Sequence, residues 1–201
     1  MNKNNFGKLF ILILGVIILL FGLVFFENTN NDSKIKSEED IEKYLNEKYA
    51  YESFKIENKK ERKVKVTGGV GSKCNYKGYS WTVKSEKNGV KFEVYDEITS
   101  FVINSDICNR GIADNYVDSI YESIKKEYNL KNGEYNHSFI INKSSFNNLE
   151  ELANYIYGII TKYNLNKEYF DFVIQLNDKN SSKTIELRKI QSKDDLINNY
   201  L

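Results

Sequence analysis

Tyr79-Ser80-Trp81-Thr82-Val83-Lys84-Ser85-Glu86-Lys87-Asn88-Gly89-Val90-Lys91-Phe92-Glu93-Val94-Tyr95-Asp96 consists of two alternating runs joined by Asn-Gly. Alternation of apolar and polar residues has the two-residue period of a strand with one wet face. Asn and Gly both tolerate the positive φ of a tight hairpin turn. The stretch reads as a β-hairpin whose core face holds Tyr79, Trp81 and Val83 beside Val90, Phe92 and Val94. A central hairpin commits the chain to antiparallel sheet, so the flanking segments decide what covers it.

Upstream, Phe54 and Ile56, then Val64 and Val66, alternate with Lys and Glu as two further half-wet strands. Thr67-Gly68-Gly69-Val70-Gly71 breaks the pattern. The basic run Lys59-Lys60-Glu61-Arg62-Lys63-Val64-Lys65 suits a solvated strand edge or hairpin tip better than a binding patch. Ahead of these strands Ser37 caps a helix. Glu38, Glu39 and Asp40 meet its dipole, and Ile41, Tyr44, Leu45 and Tyr49 lie along one face.

Downstream, residues 98–103 have strand character without a fixed place. A second helix runs from about Asp114 to Tyr128, with Val117, Ile120, Tyr121, Ile124 and Tyr128 as its apolar stripe. Asn132-Gly133 closes that half. The next half opens with a strand over His137–Ile141. Asn147 or Asn148 then caps a long helix that carries Glu150 or Glu151 at the third position. Leu149, Leu152, Ala153, Ile156, Ile160 and Tyr163 share its buried side. Phe170–Leu176 is a strand, Asn177–Ser182 turns, and Thr184–Ile190 returns. Ser192-Lys193-Asp194-Asp195 caps a short terminal helix with Leu196, Ile197, Tyr200 and Leu201. The order α-β-β-β-α, then β-α-β-β-α, predicts an α+β domain with antiparallel sheet over residues 37–201. The halves either share one sheet or part near residues 129–136.

Outward to the amino terminus, Leu9–Phe26 is 18 residues without a charge, between Lys8 and Glu27. As a helix it spans roughly 27 Å, close to the ~30 Å hydrocarbon core of a bilayer. Lys3 and Lys8 precede it with no acid, which places the amino terminus in the cytoplasm. The run is long for a signal peptide and lacks a small-x-small cleavage site; atypical cleavage would change the attachment but not the compartment. The expected layout is a cytoplasmic tip (1–8), a transmembrane helix in lipid (9–26), a tether (27–36) and an extracytoplasmic domain (37–201), in a bacterial cell membrane. A flexible tether of that length spans about 17–19 Å, so the domain is expected to work beside the membrane.

The 29 Lys and Arg against 28 Asp and Glu leave no net field to draw nucleic acid. Proline is absent, and Tyr, Asn, Lys and Ile are abundant, a coding bias of AT-rich bacterial genomes. Cys74 and Cys108 would lie outside the cytoplasm, free to form a disulfide that constrains the unfolded chain by about 3–4 kcal/mol. Two separate buried thiols are the alternative.

No motif specifies chemistry. Val66–Lys73 has the order Gly71-Ser72-Lys73, not the Gly-Lys-Ser/Thr of a phosphate loop, and Cys74 stands where a dinucleotide fingerprint needs its third Gly. Ser123-Ile124-Lys125-Lys126 has Ser-x-x-Lys spacing without Lys-Thr-Gly or Ser-Asp-Asn elsewhere. His137 is the single histidine, so a nucleophile system has one base, and a Cys108–His137 dyad requires Cys108 to be unpaired. The acids Glu38, Glu39, Asp40, Asp114, Asp118, Glu150, Glu151, Asp194 and Asp195 all stand at helix starts. One histidine and two distant cysteines make no metal cluster. No catalytic, cofactor-binding or metal-ligating residue is assigned.

Ile41-Glu42-Lys43-Tyr44-Leu45-Asn46-Glu47-Lys48-Tyr49, leading into Ser53-Phe54-Lys55-Ile56, with Asp114-Asn115-Tyr116-Val117 later, resembles small anchored or lipoprotein-type envelope proteins of low-GC Gram-positive bacteria over residues 37–128. The resemblance implies location and an α+β domain; no lipid-accepting Cys follows the apolar run. The expected function is a membrane-anchored extracytoplasmic binding domain whose partner is another membrane or exported protein. The alternatives are a small envelope hydrolase acting on peptide or glycan, with acids or His137 in a cleft, and a structural subunit of a membrane complex. The 15 tyrosines suit an interface surface.

Overall fold

The computed structural model describes residues 34–63, 65–68, 77–100, 109–179 and 181–201. The elements run α1 (Glu38–Lys48), β1 (Phe54–Lys63), β2 (Lys65–Gly68), β3 (Lys77–Ser85), β4 (Lys91–Ser100), β5 (Asn109–Asp114) and α2 (Tyr116–Tyr128). They continue with β6 (Lys131–Asn132), β7 (Ser138–Asn142), α3 (Leu149–Tyr163), β8 (Val173–Asp178), β9 (Ser181–Glu186) and α4 (Lys193–Asp195). The fold is α+β. One sheet has the order β1-β3-β4-β2 with β5 also on β4; the other is β6-β7-β8-β9. The expected antiparallel pairing is joined by parallel pairs, β2 with β4 and β7 with β8, so both sheets are mixed.

Two features expected from the sequence are not found among the described residues. No helix among the described residues is long and apolar enough to cross a membrane. The longest, α3, has 15 residues and carries Glu150, Glu151 and Lys162; its roughly 22 Å falls short of the ~30 Å hydrocarbon core. Leu9–Phe26 lies outside the described residues. The disulfide has no support either: Cys74 and Cys108 are the two cysteines of the chain, and both lie outside the described residues.

The chain divides into two compact units. Among the described residues, one holds those within 34–37, 61–79 and 95–113; the other holds those within 38–60, 80–94 and 114–201. Residues 129–136 lie inside the second.

In the first unit Asp96 is the centre. Its carboxylate is fully buried and accepts from the Tyr79 N–H (3.0 Å) and the Lys36 N–H (3.3 Å). Arg110 stands 3.8 Å away and donates to the Lys77 carbonyl at 2.8 Å. Burial pushes the Asp96 carboxyl above the usual range, against those hydrogen bonds and Arg110.

In the second unit the expected hairpin turn is present. Gly89 has φ +74°, Ser85 N–H donates to the Val90 carbonyl (2.9 Å), and Asn88 Oδ1 accepts from Val90 N–H (3.0 Å). Trp81, Val83, Val90, Phe92 and Val94 are buried. Around Phe92, edge-to-face and tilted aromatic contacts link Tyr49, Phe54, Tyr116, Tyr169 and Phe170.

Asp114 ends β5 instead of opening α2. Its carboxylate accepts from Tyr44 Oη (2.6 Å), Tyr49 Oη (2.8 Å), Lys48 Nζ (2.8 Å) and Tyr116 N–H (2.9 Å). Burial alone would raise its pKa, but the bonds from Lys48, Tyr44 and Tyr116 hold it below the usual carboxylate range. For the Tyr49 hydroxyl, burial first and Asp114 second push the pKa well up.

The helix ends follow the sequence. Asn148 accepts from Glu151 N–H (2.8 Å) and Ser192 from Asp195 N–H (3.0 Å), each as an N-cap. Asn129 and Asn164 take left-handed φ (50° and 58°) at the C-caps of α2 and α3. Pairing departs from expectation where side-chain alternation carries no signal. β8 and β9 pair as far as Asp178↔Ser181, consuming most of the expected Asn177–Ser182 turn. Phe170 and Phe172 are buried ahead of β8, and β5 and β6 are added strands.

Candidate functional site

The second sheet has one apolar face, with Phe139, Ile141, Ile174, Leu176 and Ile185 buried. Tyr121 of α2 stacks on Phe139 at 4.7 Å. The registers Ser138↔Val173 and Ile140↔Gln175 place Ser138 and Gln175 together on the opposite face. Polar residues belong there, yet Ser138 is fully buried and Gln175 is 7% exposed. What buries them is the connection from β6 to β7, Gly133-Glu134-Tyr135-Asn136-His137, laid over this face.

The loop is held by those two side chains. Gln175 Oε1 accepts from Glu134 N–H (2.8 Å), and Ser138 Oγ accepts from Tyr135 N–H (3.0 Å) while donating to the Tyr135 carbonyl (2.6 Å). Gly133 N–H donates to the Ser138 carbonyl (2.8 Å), as does Tyr121 Oη (2.9 Å). Buried polar networks with every group satisfied fix one conformation. Gly133 lies so close that a Cβ would collide with Gln175 Oε1 and Ser138 Oγ. Gly133→Ala is therefore expected to cost roughly 1–3 kcal/mol by overpacking. Urea denaturation and faster hydrogen exchange at the Glu134 amide would register it.

His137 closes the loop with φ +51°, a left-handed conformation that costs a non-glycine residue on the order of 1–2 kcal/mol. Its ring packs against both Tyr121 (5.4 Å) and Phe172 (5.5 Å). Nδ1 faces Asp171 Oδ1 at 3.0 Å and Nε2 faces Asp118 Oδ1 at 2.8 Å. A ring protonated on both nitrogens donates to both carboxylates; a neutral ring donates to one. The imidazole side chain is 11% exposed, the two aspartates 64% and 72%. Tyr135, two residues earlier, is 57% exposed. The outcome is a fixed loop that shows solvent the Tyr135 ring and ends on His137, itself held between two exposed carboxylates.

The chemistry open to this arrangement is limited. Asp171···His137 has the geometry of an oriented base, but Nε2 meets Asp118. Among the described residues neither ring nitrogen meets a hydroxyl or thiol, and no group of three His, Cys, Asp or Glu side chains is placed to hold a metal ion.

The other sequence candidates fall elsewhere. Ser123 Oγ donates to the Ser119 carbonyl (2.7 Å) inside α2; with Lys126 it lines an open cavity of about 450 Å³ beside Asn88, Gly89 and Lys91. Val66–Gly68 lies in β2, and residues 69–76, Cys74 included, are outside the described residues, as is Cys108. Glu151 back-bonds the Asn147 N–H (2.8 Å) and Asp195 the Gln191 N–H (3.0 Å), both serving helix starts. Sequence reading singled out His137 but missed Gln175, Ser138 and Asp171; Asn132-Gly133 ahead of a histidine was the available signal. No family model matches the chain, and neither a curated protein nor a solved structure does.

Proposed function

We propose that the chain is an exported binding protein that recognises another membrane or exported protein through the Gly133–His137 loop. The observation that carries this reading is the use of two buried polar side chains, Gln175 and Ser138, to hold a loop whose outward product is an exposed tyrosine. Rigid aromatic side chains make contact area at low entropic cost, and a loop fixed beforehand lowers the ordering cost of binding. The exposed carboxylates of Asp118 and Asp171, which face the His137 ring at the end of the loop, favour a partner segment that carries Lys or Arg. Export is supported by the order Lys3, Lys8, apolar run, Glu27 in the first residues.

The test is site-specific photocrosslinking in the native cell, with benzoylphenylalanine at Tyr135 and, as control, at Tyr51, which is 74% exposed. A discrete adduct from position 135 and none from 51 is the expected result. Gly133→Ala should reduce that adduct by about tenfold, the equivalent of 1.4 kcal/mol. No adduct, or equal adducts from both positions, contradicts the reading.

A further inference from the structure

We propose that β9 is a second docking edge, one that accepts an extended acidic segment of another protein as an added strand. This goes beyond the loop and stands on different atoms. β9 pairs with β8 in the register Val173↔Glu186 to Asp178↔Ser181. One step further, Leu187 N–H donates to the Phe172 carbonyl at 3.0 Å, which marks a hydrogen-bonded pair. Antiparallel pairs alternate, so Ile185, Lys183 and Ser181 turn their backbone groups toward β8. Ser182, Thr184 and Glu186 turn theirs outward.

No strand pairs with that outer edge among the described residues, and residues 181–184 are exposed. An open edge is a template for another strand unless it is guarded. Two of the other sheet edges carry guards. β6 has two residues, and β1 carries Lys55, Lys59, Lys60, Arg62 and Lys63 among its ten. β9 has Lys183 as its one cation and neither proline nor bulge.

Charge selects the occupant. Lys179, Lys183, Arg188 and Lys189 surround this edge against Asp178 and Glu186. Glu186 is taken by Arg188 (3.3 Å) and Lys189 (2.8 Å), and Asp178 faces Lys143 (3.8 Å). Among the described residues Lys179 and Lys183 pair with no carboxylate, so an acidic strand meets uncompensated positive charge. A second copy of β9 would bring the same cations against them.

The test selects phage-displayed random peptides on the full chain and measures the enriched peptide, resynthesised, by fluorescence anisotropy. Acidic sequences should be enriched. Lys183→Glu should weaken them severalfold. Thr184→Pro should weaken them at least about tenfold while leaving the thermal transition unchanged, because proline is tolerated in an edge strand where its missing N–H faces out. Tyr135→Ala should leave this affinity unchanged. The Ser182 and Thr184 amides should exchange fast in the free chain and slowly with peptide bound.

The proposal is overturned by no enrichment, by neutral or basic enriched sequences, or by binding indifferent to Thr184→Pro. It is equally overturned if Thr184→Pro unfolds the chain, since its N–H would then be engaged within the fold. Dimerisation through β9 in sedimentation, abolished by Thr184→Pro, would make a second copy the occupant and also refute it. Loss with Tyr135→Ala alone would move the peptide to the loop, removing this edge and leaving the loop reading intact.

Discussion

Exchange of Asp114 for alanine is expected to destabilise the larger unit by roughly 3–5 kcal/mol, the range found when one member of a buried, hydrogen-bonded charge group is removed. The Asp114 side chain is 2% exposed and receives four donors. Its loss orphans the hydroxyl of Tyr49, which is 0% exposed; Lys48, at 43%, returns to water. The same residue sets a pH dependence. Because its folded pKa lies below the unfolded value of about 3.9, its stabilisation is present in full above that value. It is lost as pH falls through the folded pKa. Urea denaturation at neutral pH and along the acid limb should show a large loss for Asp114→Ala near neutrality that shrinks toward low pH. A cost under about 1 kcal/mol at pH 7 would contradict this account of the site.

Arg110→Met is the second large effect, again roughly 3–5 kcal/mol, because it leaves the Asp96 carboxylate buried without its cation. Here the pH sign is reversed. Asp96 has a raised pKa in the fold, so its contribution is complete below the unfolded value and declines as pH rises through the folded one. Arg110→Met should therefore be hurt most at neutral pH and partly relieved in acid, where Asp96 is protonated. Combining it with Asp96→Asn should recover much of the loss, since the neutral amide removes the unpaired buried charge while its oxygen still accepts a backbone N–H. Chevron or equilibrium measurements on the single and double variants decide this; additive losses would show that the two residues do not act as a pair.

Much of the framework was legible because it rests on local rules. Asn88-Gly89 specified its hairpin, Asn148 and Ser192 specified helix starts, and the stripes of α2 and α3 named Ile120, Ile124, Leu152, Ile156 and Ile160, all buried. Parallel pairing was not legible: nothing in Lys65–Gly68 or Glu97–Ser100 announces that these strands adjoin. Asp114 looked like a helix-start acid; it ends β5 and accepts from Tyr116 N–H, but its three other donors come from α1 and the residue following it, about 70 positions away in sequence.

The candidate site was legible only as an isolated histidine. Gln175 sat inside an apolar strand run and Ser138 beside it, and alternation alone cannot say that a wet face will be roofed by a loop. The collision that a Cβ at Gly133 would cause depends on Gln175, far along the sequence, as well as on nearby Ser138.

The proposed function requires that the Gly133–His137 loop be built in its binding conformation before any partner arrives. Backbone ¹⁵N relaxation of the free chain measures this directly. Order parameters near about 0.85 at Glu134, Tyr135 and His137, equal to those of β7 and β8, are the predicted result. Values below about 0.6 at Tyr135 would show a loop that Gln175 and Ser138 fail to hold, and would contradict the account.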